Sequence, residues 1–229
     1  MGVLSLVRHG QASFGADDYD VLSEVGRAQA RMLGRWMADV EPHPVSAVRG
    51  GMRRHRETWE GMLDGADWSG VDAEVDPNWD EFDFLAVLAH HGEHTGDTIG
   101  HDVDRREFQR YFERATGHWI AAAAEEPYPE PFADFVARAR TALRTAAAQP
   151  GPTVAVTSGG VIAALAAVLL TPGALQVGGD PVALGSLWER LNTVVVNTSV
   201  TRVLVGASGA RLLTFNEHNH LDRGLVTYR

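Results

Sequence analysis

Short runs of branched apolar residues alternate along the chain with longer segments in which apolar residues recur every third or fourth position. The short runs are typical of buried strands, and the longer segments are typical of amphipathic helices. Their alternation over the first 170 residues predicts a three-layer α/β/α sandwich with a mostly parallel sheet. The predicted strands cover residues 3–7, 45–49, 71–75 and 153–157, and the predicted helices cover residues 24–40, 52–63, 108–119, 132–148 and 161–170.

The last part of the chain has a different pattern, with apolar runs close together. Runs at residues 194–197, 200–205 and 211–215 predict strands, and the glycine-containing segment 206–209 predicts a hairpin between the last two. We expect these strands to add an antiparallel edge to the sheet. No internal repeat is visible, so the sequence predicts one domain over residues 1–229.

The first predicted strand ends in Arg8, His9 and Gly10. Strands buried between helices carry their functional residues at the carboxyl end. A neutral imidazole is a nucleophile near pH 7, a guanidinium binds phosphate in a bidentate manner, and a glycine lets a ligand approach the backbone closely. The group therefore predicts phosphoryl transfer to His9. An ordinary strand end with a surface arginine is the alternative.

An arginine cluster begins the second predicted helix, directly after Gly50 and Gly51. Arginine side chains at a helix start act together with the backbone N–H groups and the helix dipole, and such a combination binds anions. A solvated basic face is the alternative for most of these side chains. The cluster consists of Arg49, Arg53, Arg54 and Arg56.

Acidic and aromatic residues are interleaved between Asn78 and Phe84. A carboxyl group packed against aromatic rings has a raised pKa, because burial disfavours its charged form. A protonated carboxyl group is what a leaving alkoxide needs from a general acid. The segment therefore predicts an acid residue among Asp80, Glu81 and Asp83, with a solvent-facing acidic turn as the alternative.

Ser158, Gly159 and Gly160 lie between the predicted strand 153–157 and the predicted helix 161–170. In this position the Ser158 hydroxyl and the N–H groups of both glycines can face a bound phosphate. Serine is also a favoured N-cap residue, so capping of the helix is the alternative role for Ser158.

Residues 85–131 differ in composition from the rest of the chain. His90, His91 and His94 lie close together, but the neighbouring glycine and the absence of a His-Glu-x-x-His spacing favour a polar loop over a metal site. A helix with aromatic residues on one face follows, and such a stripe is more typical of a core than of a cofactor site. We therefore predict no metal and no cofactor.

Composition limits the function classes further. The formal net charge is −10 and the pI is about 5.4, which argues against a nucleic-acid partner and requires locally focused arginines at any phosphate site. The chain contains no cysteine and no lysine, which excludes thiol nucleophiles, cysteine-ligated metals and lysine-based catalysis. No signal-peptide pattern and no apolar run of bilayer length is visible, so we expect a cytoplasmic location without a membrane partner.

The sequence LVRHGQ at residues 6–11 resembles the signature of the histidine phosphatase superfamily, whose best-known branch is the phosphoglycerate mutases. The resemblance covers roughly residues 1–84 and 132–221, and it implies a phosphoglycerate mutase-like fold. It also implies that His9 becomes phosphorylated, that Arg8 holds the phosphate and that Gln11 belongs to the phosphate site.

Later motifs follow the same resemblance. The pattern of an arginine followed four residues later by threonine matches Arg54 and Thr58, so Arg54 is the candidate for the second phosphate-binding arginine and Arg53 is the alternative. His55 stands where the family usually has a smaller residue. Glu81 takes the place of the family's glutamate acid, with the two neighbouring aspartates as alternatives. Residues 85–131 correspond to an inserted helical lid, where substrate identity would be determined.

The family pattern fails at one position. Family members normally carry a second histidine after the fourth strand, and Ser158 stands in its place. Loss of one good donor to developing charge lowers a rate roughly a hundred- to thousand-fold. Ser158 and Gly159 are therefore predicted phosphate ligands that replace the histidine in part.

Taken with these residues, the resemblance predicts a metal-independent, acid-type phosphatase. This hydrolase would be a phosphomonoesterase that transfers a phosphoryl group to His9 and then to water, with reduced activity. The alternatives are a phosphate-ligand-binding or regulatory protein of the same fold, and a mutase-type phosphotransferase. The predicted partner is a small phosphorylated substrate or a phosphoprotein. Substrate identity and oligomeric state stay open, a homodimer included.

Overall fold

Strands and helices alternate along most of the chain, and a computed structural model describes residues 2–13, 20–40, 43–100, 103–122, 128–171 and 181–228. The strands are β1 (Gly2–Arg8), β2 (Ser46–Arg49), β3 (Ala73–Val75), β4 (Thr153–Thr157), β5 (Val200–Gly206) and β6 (Gly209–Glu217). The helices are α1 (Glu24–Val40), α2 (Arg53–Ala66), α3 (Phe84–Thr95), α4 (Arg105–Ala121), α5 (Phe132–Ala147), α6 (Gly159–Leu170) and α7 (Pro181–Asn192). Short 3-10 turns cover Pro77–Trp79 and Arg223–Leu225.

The six described strands form one sheet in the order β3-β2-β4-β1-β5-β6. The first four strands in this order run parallel, whereas β5 runs antiparallel to β1 and forms a hairpin with β6. This arrangement confirms the predicted parallel sheet with an antiparallel edge. Arg8 of β1 pairs with Thr157 of β4, so the two central strands end side by side.

The two faces of the sheet bury different apolar side chains. Leu4 and Leu6 of β1 point to the face covered by α5 and α6, while Val7 points to the face covered by α1 and α2. Alternation of this kind, with both faces covered, is typical of a sheet inside an α/β/α sandwich. The three-layer prediction is therefore confirmed.

Glycine allows α1 and α2 to pack at very short range. A Cβ atom on Gly34 would lie 2.1 Å from the carbonyl oxygen of Met62, a separation that real side chains do not adopt. Backbone thus lies directly against backbone at this crossing. The close packing fixes α2, whose first turn carries the arginine cluster, against the body of the protein.

Two of the predicted elements are wrong. The histidines at 90–94 lie in α3 and not in a loop, and His90 and His91 are buried. Gly92 lies within this helix, and its missing side chain leaves room for the Tyr111 hydroxyl, 3.2 Å from where a Cβ would be. Residues 194–197 form turns and no strand, since the Val195 carbonyl accepts from Arg8 and the Val196 N–H donates to the side chain of Asn216.

None of the helices in the described ranges combines the length and the hydropathy of a membrane-spanning segment.

Candidate active site

The carboxyl ends of β1 and β4 bring the candidate residues together. The His9 N–H donates to the Thr157 carbonyl over 2.9 Å, continuing the pairing of Arg8 with Thr157. His9 and Ser158 therefore leave the sheet next to each other. Helix α6 begins directly after Ser158, so its first N–H groups lie at the same edge.

His9 has the protonation state of a nucleophile. Its Nδ1–H donates to the Gly10 carbonyl over 2.7 Å, which leaves the lone pair on Nε2. The side chain is only 6% exposed. Burial holds the pKa of His9 well below its usual range, and the charges of Arg54 and Arg8 lower it further. The imidazole is therefore neutral at pH 7.

The loop after His9 is fixed by close contacts. A Cβ on Gly10 would lie 2.5 Å from the Gly26 carbonyl oxygen, so only glycine fits there. The Gly10 N–H donates to Thr58 Oγ1 over 3.0 Å, and the Thr58 hydroxyl donates to the Arg54 carbonyl over 2.7 Å. One threonine thus ties the His9 loop to the turn of α2 that carries Arg54. The sequence pattern matched Thr58 but did not indicate this role.

Two arginines place positive charge beside His9. Arg8 donates from Nη1 to the Val195 carbonyl, and its Nε lies 3.3 Å from where a Cβ on Gly159 would be. Arg54 is buried, and its Nη1 donates to Asp20 Oδ1 over 2.7 Å. Asp20 was not among the predicted site residues, because it lies at the end of a polar segment without a motif. The Arg8 guanidinium thus lies against the first turn of α6.

The alternative arginine of the cluster faces elsewhere. Arg53 Nε forms an ion pair with Glu57 over 2.7 Å, and the Arg53 side chain is 46% exposed. Arg54 and Arg8 both lower the pKa of His9. The geometry thus favours Arg54 over Arg53.

Glu81 reaches the start of α6. Its Oε2 accepts the Gly160 N–H over 2.9 Å. Burial raises the pKa of the Glu81 carboxyl, although the Gly160 N–H, Arg54 and Arg8 act in the opposite direction. Glu81 therefore shares the electrostatic environment of the two arginines, and it is more readily protonated than an exposed glutamate.

The two neighbouring aspartates do other things. Asp83 caps α3, accepting the Ala86 N–H over 3.0 Å, and it is exposed. Asp80 accepts the Gly51 N–H over 2.7 Å at the start of α2. Of the three candidate acids, Glu81 is the one bonded to the first turn of α6.

Ser158 holds the N-cap position of α6 by its backbone angles, but its side chain makes no capping hydrogen bond. Its Oγ is instead 2.8 Å from Nε2 of His55. Both residues are fully buried. The His55 ring centroid is 5.7 Å from that of His9. Ser158 therefore occupies the N-cap position, but its hydroxyl does not cap the helix. The hydroxyl contacts the imidazole of His55, for which the sequence indicated no role.

The contacts of Gln11 point to the start of α1. The Ser23 hydroxyl donates to Gln11 Oε1 over 2.9 Å, and the Gln11 N–H donates to the side chain of Gln29. Its predicted role at the phosphate stays a prediction. So does that of Gly159, whose Cα faces Arg8.

Residues 85–131 are anchored beside Glu81. Trp119 of α4 is buried and stacks on Phe82, with ring centroids 4.7 Å apart. Trp188 of α7 donates from Nε1 to the Gly160 carbonyl over 2.9 Å. A groove of about 610 Å³ lies between α4 and α7, and Trp188 forms part of its wall. The lid role of this segment stays a prediction.

Metal ligation has no candidate within the described ranges, where no three histidine or carboxylate side chains converge on one point. The histidines of α3 make other contacts: His90 stacks on His94 with centroids 3.8 Å apart, and His91 Nε2 lies 3.2 Å from Asp97.

A neutral buried histidine with two arginines near it lies at the carboxyl edge of a mostly parallel sheet, and this combination defines the class as an α/β protein with a positively charged histidine site. The sequence profile of the histidine phosphatase superfamily (branch 1) matches residues 4–218. The chain therefore belongs to the histidine phosphatase superfamily. The match includes residues 85–131, which the LVRHGQ resemblance alone left undetermined.

Solved structures share this fold over nearly the whole chain. YhfR from Bacillus stearothermophilus is 23% identical, with 97% of this chain and 100% of that one covered and a TM-score of 0.68. A phosphoglycerate mutase from Bacillus anthracis str. Sterne is 19% identical, with coverages of 96% and 94% and a TM-score of 0.65. A mycobacterial glucosyl-3-phosphoglycerate phosphatase in complex with VO3 is 24% identical, with coverages of 95% and 100% and a TM-score of 0.65. No curated protein sequence matches the chain.

Proposed function

We propose that the protein is a phosphomonoesterase that forms a phosphohistidine at His9. The observation that carries the proposal is the state of His9: the imidazole is buried and neutral, and its Nδ1–H is committed to the Gly10 carbonyl. The lone pair of a nucleophile is therefore at Nε2. Arg8 and Arg54 beside it supply the charge that a phosphoryl group needs.

The first step is in-line attack on phosphorus. His9 Nε2 donates its lone pair to phosphorus, an N–P bond forms and the P–O bond to the leaving group breaks. Arg8 and Arg54 bind the phosphoryl oxygens. Glu81 gives its proton to the leaving oxygen, which its raised pKa favours.

The second step returns the enzyme to its starting state. Water attacks phosphorus, the N–P bond breaks and inorganic phosphate leaves. Glu81, now a carboxylate, takes the proton of the attacking water, because the same group serves as acid and then as base. Positive charge for both steps comes from arginines, so the scheme requires no metal.

A phosphate-binding or regulatory protein is the second candidate. The observation that favours it is Ser158, an uncharged residue beside His9 where the family resemblance predicts a histidine. A mutase-type transfer remains the third candidate. The predicted small phosphorylated substrate or phosphoprotein and the cytoplasmic location stay predictions for each of the three.

Turnover of a phosphomonoester panel tests the proposal, with wild type, His9→Ala and the matched control His43→Ala. His43 is an exposed histidine that precedes β2. We expect wild type and control to release phosphate at equal rates, with activity unchanged by a chelator, and His9→Ala to be inactive. Wild-type rates in His9→Ala would refute the covalent mechanism, and complete loss on chelation would refute the metal-free scheme.

A further inference from the structure

His55 and Ser158 form a buried pair at the reacting histidine. His55 Nε2 and Ser158 Oγ are 2.8 Å apart, and both side chains are fully buried. Ser158 follows Thr157, whose carbonyl accepts the His9 N–H, so the serine leaves the sheet beside His9. The centroid of the His55 ring is 5.7 Å from that of the His9 ring. The pair therefore lies next to the candidate nucleophile.

The other nitrogen of His55 faces a carboxylate. Asp80 Oδ1 lies 3.8 Å from Nδ1, and this nitrogen has no hydrogen-bond partner within the described part of the chain. Gly50 makes the arrangement sterically feasible, because a Cβ there would lie 2.3 Å from His55 Nδ1 and 2.4 Å from Asp80 Oδ1. A buried imidazole held between a hydroxyl and a carboxylate is a costly feature that a plain core position does not require.

The family resemblance predicts a charged donor at position 158, where this chain has a hydroxyl. The same resemblance predicts a small residue at position 55, where this chain has an imidazole. The two departures are adjacent in space and are joined by a hydrogen bond. Each departure alone is a mismatch to the family pattern. Together they keep one imidazole next to position 158, contributed by His55 and not by residue 158 itself.

We infer that His55 and Ser158 act as one unit in place of the second histidine, with the Ser158 hydroxyl donating to the transferring phosphoryl group and His55 orienting that hydroxyl. The inference rests on the function proposed above. Ser158 is the group that touches the phosphoryl oxygen, and His55 is a positioning residue that acts through it.

The hydrogen bonds of the unit run in one direction. His55 Nε2–H donates to Ser158 Oγ, and the Ser158 O–H is then directed to a phosphoryl oxygen. Burial, Arg54 and Arg49 hold the pKa of His55 well below its usual range. A phosphoryl dianion brings negative charge to the same place, and Asp80 stands ready to accept from Nδ1–H, so both favour a proton on His55.

Substitutions that remove or keep the donor test the unit. Ser158→Ala removes the hydroxyl, and His55→Leu fills the same space without a donor. We expect each to lower kcat/KM for a phosphomonoester about 100-fold, the cost of one lost donor to developing charge. His55→Gln keeps an N–H near Oγ and should lose far less. The matched control Ser208→Ala, in the exposed β5–β6 turn, should keep the wild-type rate.

Combined substitutions separate a functional unit from two structural residues. The double variant His55→Leu/Ser158→Ala should lose no more activity than the worse single variant, because groups that act as a unit are not additive. The variant His55→Ala/Ser158→His moves the imidazole to the position that the family resemblance predicts, and it should regain the roughly 100-fold in rate that one donor to developing charge supplies. Thermal unfolding of each variant checks that the fold is kept.

Orthovanadate binding makes failure of this inference distinguishable from failure of the proposed function. If wild type is active and Ser158→Ala and His55→Leu turn over the ester at the same rate, the inference is overturned and the proposed phosphatase function stands. Additive losses, or no recovery in the relocated variant, would also overturn it. If wild type binds orthovanadate and hydrolyses no ester of the panel, the proposed phosphatase function is refuted. In that case, about 100-fold weaker orthovanadate binding by the two single variants would still support the inference that His55 and Ser158 act as one unit. Equal orthovanadate binding by wild type and both variants would overturn the inference.

Discussion

Replacement of Gly160 by alanine should displace Glu81, the proposed general acid, without changing its carboxyl group. A Cβ at this position would lie 2.2 Å from Glu81 Oε1 and 3.0 Å from its carboxyl carbon. Ordinary contact begins at 3.4 Å, so the carboxyl group has to move by about 1 Å, and a misplacement of that size costs about 100-fold in rate. Arg8 and Arg54 are not displaced by this change, so phosphate binding should survive.

The assay compares two substrates that differ in how much they need an acid. An alkyl phosphomonoester leaves as a basic alkoxide that has to be protonated, whereas p-nitrophenyl phosphate leaves as an anion that is stable near neutral pH. We expect Gly160→Ala to lower kcat/KM about 100-fold for the alkyl ester and far less for the aryl ester. Affinity for inorganic phosphate should stay close to that of wild type.

A matched glycine provides the control. Gly117 lies in α4, and a Cβ there would be 3.6 Å from its nearest neighbour, an ordinary contact. Gly117→Ala should therefore keep the activity of wild type towards both esters. Equal rate losses for the two esters in Gly160→Ala, or no loss for the alkyl ester, would refute the assignment of Glu81 as the acid.

Three further predictions concern pH and packing. The activity should be highest on the acid side of neutrality. As the pH increases, kcat/KM should rise when His9 loses its proton at its lowered pKa and fall when Glu81 loses its proton at its raised pKa. A pH profile with an optimum above neutrality would contradict this. His220→Gln should reduce the loss of unfolding free energy between pH 7 and pH 4 by up to about 3 kcal/mol. Burial holds the pKa of His220 at about 4, whereas the unfolded chain takes up this proton near pH 6.5, so acid favours the unfolded state. Urea unfolding at both pH values measures the free energy. Gly34→Ala should lower the free energy of unfolding by about 1–3 kcal/mol, because its Cβ would lie 2.1 Å from the Met62 carbonyl oxygen, and an unchanged urea midpoint would contradict the close packing of α1 on α2.

The central fold could be predicted because its signals are local. Strands β1 and β4 are short apolar runs buried on both faces, and an apolar run of this length indicates a buried strand without any knowledge of its neighbours. The run at 194–197 has a similar apolar composition, but its backbone groups form hydrogen bonds with the side chains of Arg8 and Asn216 and not with the backbone of a described strand. Such partners are distant in sequence, so composition alone could not separate this turn from a strand. No predicted element corresponds to α7.

The candidate site was predictable where it depends on strand ends. Arg8 is the last residue of β1 and His9 follows it directly, so their position at the carboxyl edge depends only on the direction of the strand. The pairing of His55 with Ser158 depends on how α2 turns towards β4, which the close packing of helices decides. The sequence therefore indicated two separate departures from the family pattern, while their contact could be seen only in three dimensions.

The location of the covalent phosphoryl group is the most direct test of the proposed mechanism. Wild type is mixed with a phosphomonoester that it hydrolyses and is quenched in alkali, which preserves phosphohistidine, and its peptides are then mapped by mass spectrometry. We expect a phosphoryl group on His9 and none on any residue of His9→Ala. Steady hydrolysis without a phosphorylated intermediate, or a phosphoryl group on Ser158, would contradict it.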